Sequence, residues 1–346
     1  MSAPATGATA DLLVVMPNWL GDTLFATPSL RALRRAYPQA RIDCAVPQRC
    51  EEVLRHNPHL DRVIVYDDKP RWSRPSSIRG LWRLMGGRRY AGVVFLGAST
   101  LKSACAALRG IRRRVGPANT SKLLFLTDSA GTPAPDAHRI DHYLAVARAA
   151  GAVPDGRSMD FVPEPAAEAS AGRLLAPLAG RPYVTVHAGG NWDLKRWPAG
   201  SFGAWSSAYL ERTERAIVYI GTDAERPLVA SIAAGRDPGR ALDLCGRTSL
   251  SELAWVLRGS KLLLTNDSGP IHLAATQRVP TVGLFGPTSP DRTGPVTDAP
   301  LRILTKDVGC EVPCYFRGCD LRVCMDWIGV DEVLEACLSL GGRADA

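Results

Sequence analysis

No stretch of the chain approaches the roughly 18 consecutive apolar residues that a membrane-spanning helix requires. No positive charge precedes the first apolar run, Leu12–Met16, so the opening residues do not read as a secretory signal. The two absences predict a cytoplasmic chain in a reducing compartment. There its nine cysteines, an odd number, are expected to be thiols or metal ligands rather than a disulfide framework. Three phosphate-handling signatures are also missing. Without G-x-G-x-x-G there is no nicotinamide-dinucleotide fingerprint, and without G-x-x-x-x-G-K-[ST] no P-loop. Without Asp-x-Asp, the chain lacks the acidic pair that would hold a divalent cation against a diphosphate.

What is present points to an α/β enzyme. A chain of 346 residues exceeds one ordinary core and predicts two domains. The formal charge is +8 but uneven: residues 1–160 carry 23 Lys/Arg against 13 Asp/Glu, and residues 161–346 carry 19 against 21. The basicity therefore belongs to one half, which predicts two domains with different ligands. A basic nucleic-acid-binding protein is the non-enzyme alternative, but no zinc finger, RRM or KH pattern supports it.

Short β-branched runs alternate with helical patterns. The expected strands are Leu12–Met16, Ile42–Val46, Arg62–Val65, Val93–Leu96, Tyr183–His187, Ala216–Ile220, Lys261–Thr265 and Thr281–Phe285. Amphipathic stretches lie between them, such as Leu24–Tyr37, Phe202–Arg212, Glu225–Ala234 and Leu250–Arg258. Near-continuously apolar strands separated by helices predict parallel sheets covered on both faces. The pattern occurs twice. We expect an N-terminal Rossmann-like domain over residues 1–165 and a C-terminal one over 166–346, with ligands at the carboxyl ends of the strands.

Four strand-to-helix turns carry candidate chemistry. Pro17-Asn18-Trp19-Leu20-Gly21-Asp22-Thr23 offers Asp22 as a general base or as a helix N-cap. In His187-Ala188-Gly189-Gly190, continuing to Lys195-Arg196-Trp197-Pro198, two glycines let backbone approach a ligand and Lys195 suits a diphosphate. Gly221-Thr222-Asp223-Ala224-Glu225 offers Glu225 to ribose hydroxyls or to a helix start. Asn266-Asp267-Ser268-Gly269-Pro270-Ile271-His272 combines polar side chains with a helix N-terminus suited to phosphate, and His272 is expected to face the same ligand.

Asn18-Trp19-Leu20-Gly21-Asp22, Lys195-Arg196-Trp197-Pro198 and Asn266–His272 together resemble the family 9 glycosyltransferases, the heptosyltransferases of lipopolysaccharide inner-core assembly. The resemblance runs from Leu12 to about Ile328, and the opening motif and cysteine-rich tail look most like the branch that adds the second heptose. It implies a GT-B fold, two Rossmann-like domains facing each other across a cleft. It further implies an inverting transfer of heptose from ADP-L-glycero-D-manno-heptose to a lipid A–Kdo-type acceptor. Asp22 takes the catalytic position and Lys195 the donor-phosphate position. Glu225, Asp267, Ser268, Gly269 and His272 fall on the adenosine and diphosphate contacts. Gly189 and Gly190 stand where some members have hydroxyl residues, so backbone contacts would serve there. No cofactor or catalytic metal is expected. The alternatives are another acceptor, protein or glycolipid, another nucleotide sugar, or a nucleotide-sugar epimerase.

Lys69 to Tyr90 holds seven basic and no acidic residues, with Trp72 and Trp82. Ile78, Leu81, Trp82 and Met85 fall at helical spacing, leaving Arg79 and Arg83 on a polar side. The segment either packs on the sheet or contacts anionic lipid at the inner face of the cytoplasmic membrane. Arg112, Arg113 and Lys102 are the expected acceptor-side cations. The spacing Cys310-x3-Cys314-x4-Cys319-x4-Cys324 is read as reduced, buried thiols, with a structural zinc or iron site as the alternative.

Overall fold

The computed structural model describes residues 11–66, 75–97, 99–117, 123–131, 133–314, 316 and 318–342. The chain divides into two compact units between Val162 and Pro163. The first holds β1 (Leu12–Val15), β2 (Ile42–Pro47), β3 (Arg62–Tyr66), β4 (Gly92–Phe95), β5 (Arg113–Pro117) and β6 (Asp128–Ala130). Its helices are α1 (Leu20–Ala36), α2 (Glu51–Leu54), α3 (Pro75–Gly86), α4 (Thr100–Leu108) and α5 (Arg139–Ala149). The second holds β7 (Tyr183–His187), β8 (Ala216–Tyr219), β9 (Ala241–Asp243), β10 (Leu263–Asn266), β11 (Thr281–Leu284) and β12 (Leu301–Leu304). Its longer helices are α6 (Ala167–Leu175), α7 (Ala199–Arg212), α8 (Arg226–Ala233), α9 (Leu250–Gly259) and α10 (Gly269–Thr276). Single turns α11 (Pro290–Thr293) and α12 (Val323–Asp326) precede the last helix, α13 (Val330–Leu340).

Each unit has one six-stranded sheet, ordered β3-β2-β1-β4-β5-β6 and β12-β11-β10-β7-β8-β9. The paired strands run parallel throughout. Renumbered within its unit, the second order is the same as the first, the doubly wound arrangement of a Rossmann fold. The chain's direction of travel across the sheet reverses between β1 and β4, and again between β7 and β10. In folds of this kind that reversal is where ligands bind, outside the carboxyl ends of the strands.

The central strands are legible because they are covered on both faces and almost wholly apolar, as in the fully buried β1 and β8. Four strands escape that pattern. β6, β9 and β12 are short edge strands, and β5 is built from Arg113-Arg114-Val115-Gly116-Pro117. The second core centres on Trp197, Phe202, Trp205, Tyr209 and Tyr219, closed by Val333, Leu334 and Cys337 of α13. Cys44, Cys50, Cys105, Cys245 and Cys337 are all buried thiols.

Helix α1 begins four residues before the expected Leu24 and contains Pro28. Proline has no N–H to give the Leu24 carbonyl. The Thr27 hydroxyl donates to that carbonyl instead, at 2.7 Å, and accepts from the Asp160 amide at 2.8 Å. One buried hydroxyl thus repairs the helix and ties it to the end of its unit. Thr27→Val keeps the shape but removes both bonds, and should cost about 1–3 kcal/mol in denaturant unfolding. Unchanged stability would show that the hydroxyl is dispensable.

Candidate active site

In the first unit the loop after β1 leads into α1, whose N-cap is Trp19. Asp22 is therefore the third helical residue, and its side chain does not cap the helix. A carboxylate in the first turn suits the helix dipole. Its Oδ1 accepts from Arg139 Nε at 3.0 Å and from the Tyr143 hydroxyl at 2.8 Å, both on α5. Burial first, and then the Asp22 charge, push the Tyr143 hydroxyl far above its ordinary range, so it remains a donor. The loop after β4 presses on the loop after β1. A Cβ on Gly97 would collide with the Met16 carbonyl, so this close approach requires glycine.

Lys102 lies in the first turn of α4 and is 3% exposed. Its Nζ donates to the Tyr66 hydroxyl at 2.5 Å, and that hydroxyl donates to Asn18 Oδ1 at 3.2 Å. The chain Lys102–Tyr66–Asn18 links α4, the end of β3 and the loop after β1. It occupies the same edge of the sheet as Asp22.

Arg112 and Arg113 do not join this group. The register pairs Leu12 with Gly92 and Gly92 with Arg113, which places both arginines at the amino edge of the sheet. The Arg113 guanidinium donates to the Tyr37 hydroxyl at 3.0 Å and the Ala149 carbonyl at 3.1 Å, bracing the far ends of α1 and α5. The two arginines expected on the acceptor side thus lie at the opposite edge of the sheet from Asp22. The basic stretch is corrected in one respect. Leu81 and Met85 are buried as expected, joined by Leu84, but Trp82 is turned outward under the Arg109 guanidinium, 4.0 Å from its ring centroid. Arg79 and Arg83 are exposed, and Trp72 lies outside the described residues.

In the second unit the loops after β7 and β10 meet through side chains. The Ser268 hydroxyl is 2.9 Å from His187 Nδ1, and His187 Nε2 is 3.5 Å from Glu225 Oε1. Asn266 donates to the Ala188 and Gly189 carbonyls at 2.9 Å each and accepts from the Trp197 amide at 3.0 Å. Lys195 Nζ donates to Asp267 Oδ2 at 2.7 Å, and the Thr288 hydroxyl donates to the same oxygen at 2.7 Å. Asp267 is 4% exposed, so its charge is carried by these partners rather than by water. Ser268 is the N-cap of α10, yet no side chain caps the first turn. His272, one turn further, is buried.

Of its two expected roles, Glu225 takes the one at the helix start, in a capping box with Thr222. Its Oε1 accepts from the Gly190 amide at 2.7 Å, and its Oε2 accepts from the Thr222 amide at 2.7 Å and hydroxyl at 2.8 Å. With His187 beside Oε1, the carboxylate's lone pairs are spent on protein. The Gly190 amide is correspondingly committed to Glu225 and not presented to a phosphate. A Cβ on Gly189 would overlap the Glu225 carboxylate, so the residue is glycine for packing. Burial raises the Glu225 carboxyl, but the bond and charge from His187 and the Thr222 donors outweigh it and hold it well below the usual range. His187, Thr222, Asn266, Thr288, Arg139 and Tyr143 were not singled out from sequence. Thr222-x-x-Glu225 has the capping-box spacing, whereas nothing local marks Thr288 or Tyr143 as a carboxylate's partner.

Residues 78–319 match glycosyltransferase family 9, the heptosyltransferase family. The chain belongs to this family. It is 30% identical over 322 residues to lipopolysaccharide heptosyltransferase 1 of Pseudomonas aeruginosa, covering 89% of this chain and 87% of that one. It is 24% identical over 304 residues to lipooligosaccharide heptosyltransferase 2 of Haemophilus influenzae, covering 83% and 86%. The structure of the Escherichia coli ADP-heptose lipopolysaccharide heptosyltransferase II superimposes with a TM-score of 0.80 at 23% identity, over 96% of this chain and 98% of that one. As a family 9 member the protein is a glycosyltransferase with the α/β fold of the GT-B heptosyltransferases.

Of the tail cysteines in this family 9 chain, Cys310 is exposed and Cys314, Cys319 and Cys324 are partly so, which corrects the expectation of buried thiols. Among the described residues no group of three or more His, Cys, Asp or Glu is arranged to hold a metal ion.

A carboxylate whose folded pKa is depressed stabilises the protein above its unfolded value, about 4.3, and loses that contribution as pH falls. Glu225→Gln should therefore melt below the wild type at neutral pH, with the gap narrowing below about pH 4. Thermal unfolding of both proteins across this range tests it. A gap independent of pH would remove the charge from the argument.

Proposed function

We propose that the protein is an inverting glycosyltransferase that moves heptose from an ADP-heptose donor to an anionic glycolipid of the lipopolysaccharide inner core, with Asp22 as general base. The observation that carries the reading is the site in the second unit. Lys195 is held on Asp267 beside the uncapped start of α10, at the point where the strand order reverses. A cation and a helix N-terminus aimed at one place suit a leaving diphosphate, whose negative charge grows in the transition state. That arrangement supplies without a metal the charge that a divalent cation would otherwise bring. Asp267, Ser268, Gly269 and His272 complete the donor subsite in this reading. Glu225, Gly189 and Gly190 act through the shape of the loop.

Asp22 lies in the corresponding place in the first unit, after the carboxyl end of β1. It would take the acceptor hydroxyl's proton as that oxygen attacks the anomeric carbon and ADP departs. Lys102 is the acceptor-side cation at the same edge. A peripheral site on the cytoplasmic membrane fits the exposed Trp82, Leu108, Arg79 and Arg83. Among the described residues no helix is long and apolar enough to cross a bilayer.

Asp22→Ala should lower kcat by about 10²–10⁴ with little change in donor KM. Undiminished turnover at matched enzyme and donor would remove Asp22 from the role. In thermal-shift measurements ADP should raise the melting temperature more than UDP or GDP at equal concentration, because ligand that binds the native state stabilises it. A preference for UDP would overturn the donor assignment.

A further inference from the structure

We propose that Arg139 and Tyr143 are positioning residues for the base: together they claim Asp22 Oδ1 and so leave Oδ2 as the atom that accepts the proton. The inference rests on the reading of Asp22 as general base and says how the fold makes its two equivalent oxygens different.

Both donors reach the same oxygen, Arg139 Nε at 3.0 Å and the Tyr143 hydroxyl at 2.8 Å. Their spacing of four residues puts them one above the other on a single face of α5. Among the described residues no hydrogen bond reaches Oδ2. The start of α5 is pinned by its N-cap, His138, whose Nδ1 accepts from the Ile140 amide at 3.2 Å. Tyr143 is 5% exposed and its ring cannot swing away without opening the packing between α1 and α5. The turn Gln48–Cys50, also packed on α1, directs Arg49 to the Asn18 carbonyl at 2.7 Å rather than to Asp22.

The division of labour is chemically useful. A carboxylate free to rotate loses the near-attack geometry that one held in place keeps. Oδ2 takes the proton as the acceptor oxygen bonds to the anomeric carbon. The bond from that carbon to the diphosphate oxygen breaks, and its electron pair leaves with ADP. Arg139 is half exposed, so its charge is screened and its part is to orient the carboxylate. The buried tyrosine supplies direction.

The test is steady-state kinetics of the full chain with ADP-heptose and a Kdo-bearing lipid A acceptor, over about pH 5–9. Tyr143→Phe should lower kcat about tenfold and leave both KM values within about twofold. Arg139→Lys should retain most activity while Arg139→Gln loses it. Unchanged kcat in both Tyr143→Phe and Arg139→Gln overturns the proposal. Asp22→Asn separates this from the underlying reading. If it is inactive while those two variants match wild type, the base stands and the positioning fails. If it is active, the base reading itself falls. Should Tyr143→Phe fail to fold, as judged by its melting transition, the Arg139 pair decides the matter.

Discussion

A parallel sheet delivers its loops to two opposite edges, and at the reversal of strand order the helices that follow neighbouring loops turn to opposite faces of the sheet. Both units of this chain depend on that constraint. In the first, the loops after β1 and β4 approach so closely that Gly97 admits no side chain. In the second, the loops after β7 and β10 are joined by Ser268, His187 and Asn266. Strand direction places the candidate residues: Asp22, Lys102, Lys195 and Asp267 all follow or border the carboxyl ends of strands. Arg113, at the amino end of β5, is turned to bracing two helices.

Charge is handled by the same economy. Burying an ion without a partner is costly, and the two carboxylates around the start of α10 and the Gly189–Gly190 loop have their bonds supplied by protein. Asp267 has Lys195 and Thr288, and Glu225 has Thr222, Gly190 and His187. The net positive charge of the first half is partly spent in the same way. Arg31 bridges Asp155 and Asp160, Arg34 holds Asp61, and Arg114 caps the Phe125 carbonyl. Arg79, Arg83 and Arg112 remain exposed. A formal charge therefore overstates what a ligand would meet.

The fold was largely readable because burial on both faces writes a strand as an apolar run and a covering helix as a periodic one. β1, β4, β7 and β10 were visible for this reason. The edge strands β6, β9 and β12 were not, since each pairs on one side only and carries mixed residues. Asp22 and the Asp267–His272 turn were legible as polar interruptions after apolar strands. Their partners were not legible. Tyr143 lies 121 residues from Asp22 and Thr288 lies 21 from Asp267.

Sequence alone determined the class of architecture, the family and the turns that carry the candidate residues, because these are properties of short contiguous segments. Tertiary structure decided which groups complete each site. It assigned Glu225 to the Gly189–Gly190 loop, sent Arg112 and Arg113 to the edge of the sheet opposite Asp22, and gave Asp22 two donors on one oxygen. Hydrogen-bond partners are chosen by distance in space and by strand direction, and neither is written in the residues nearby.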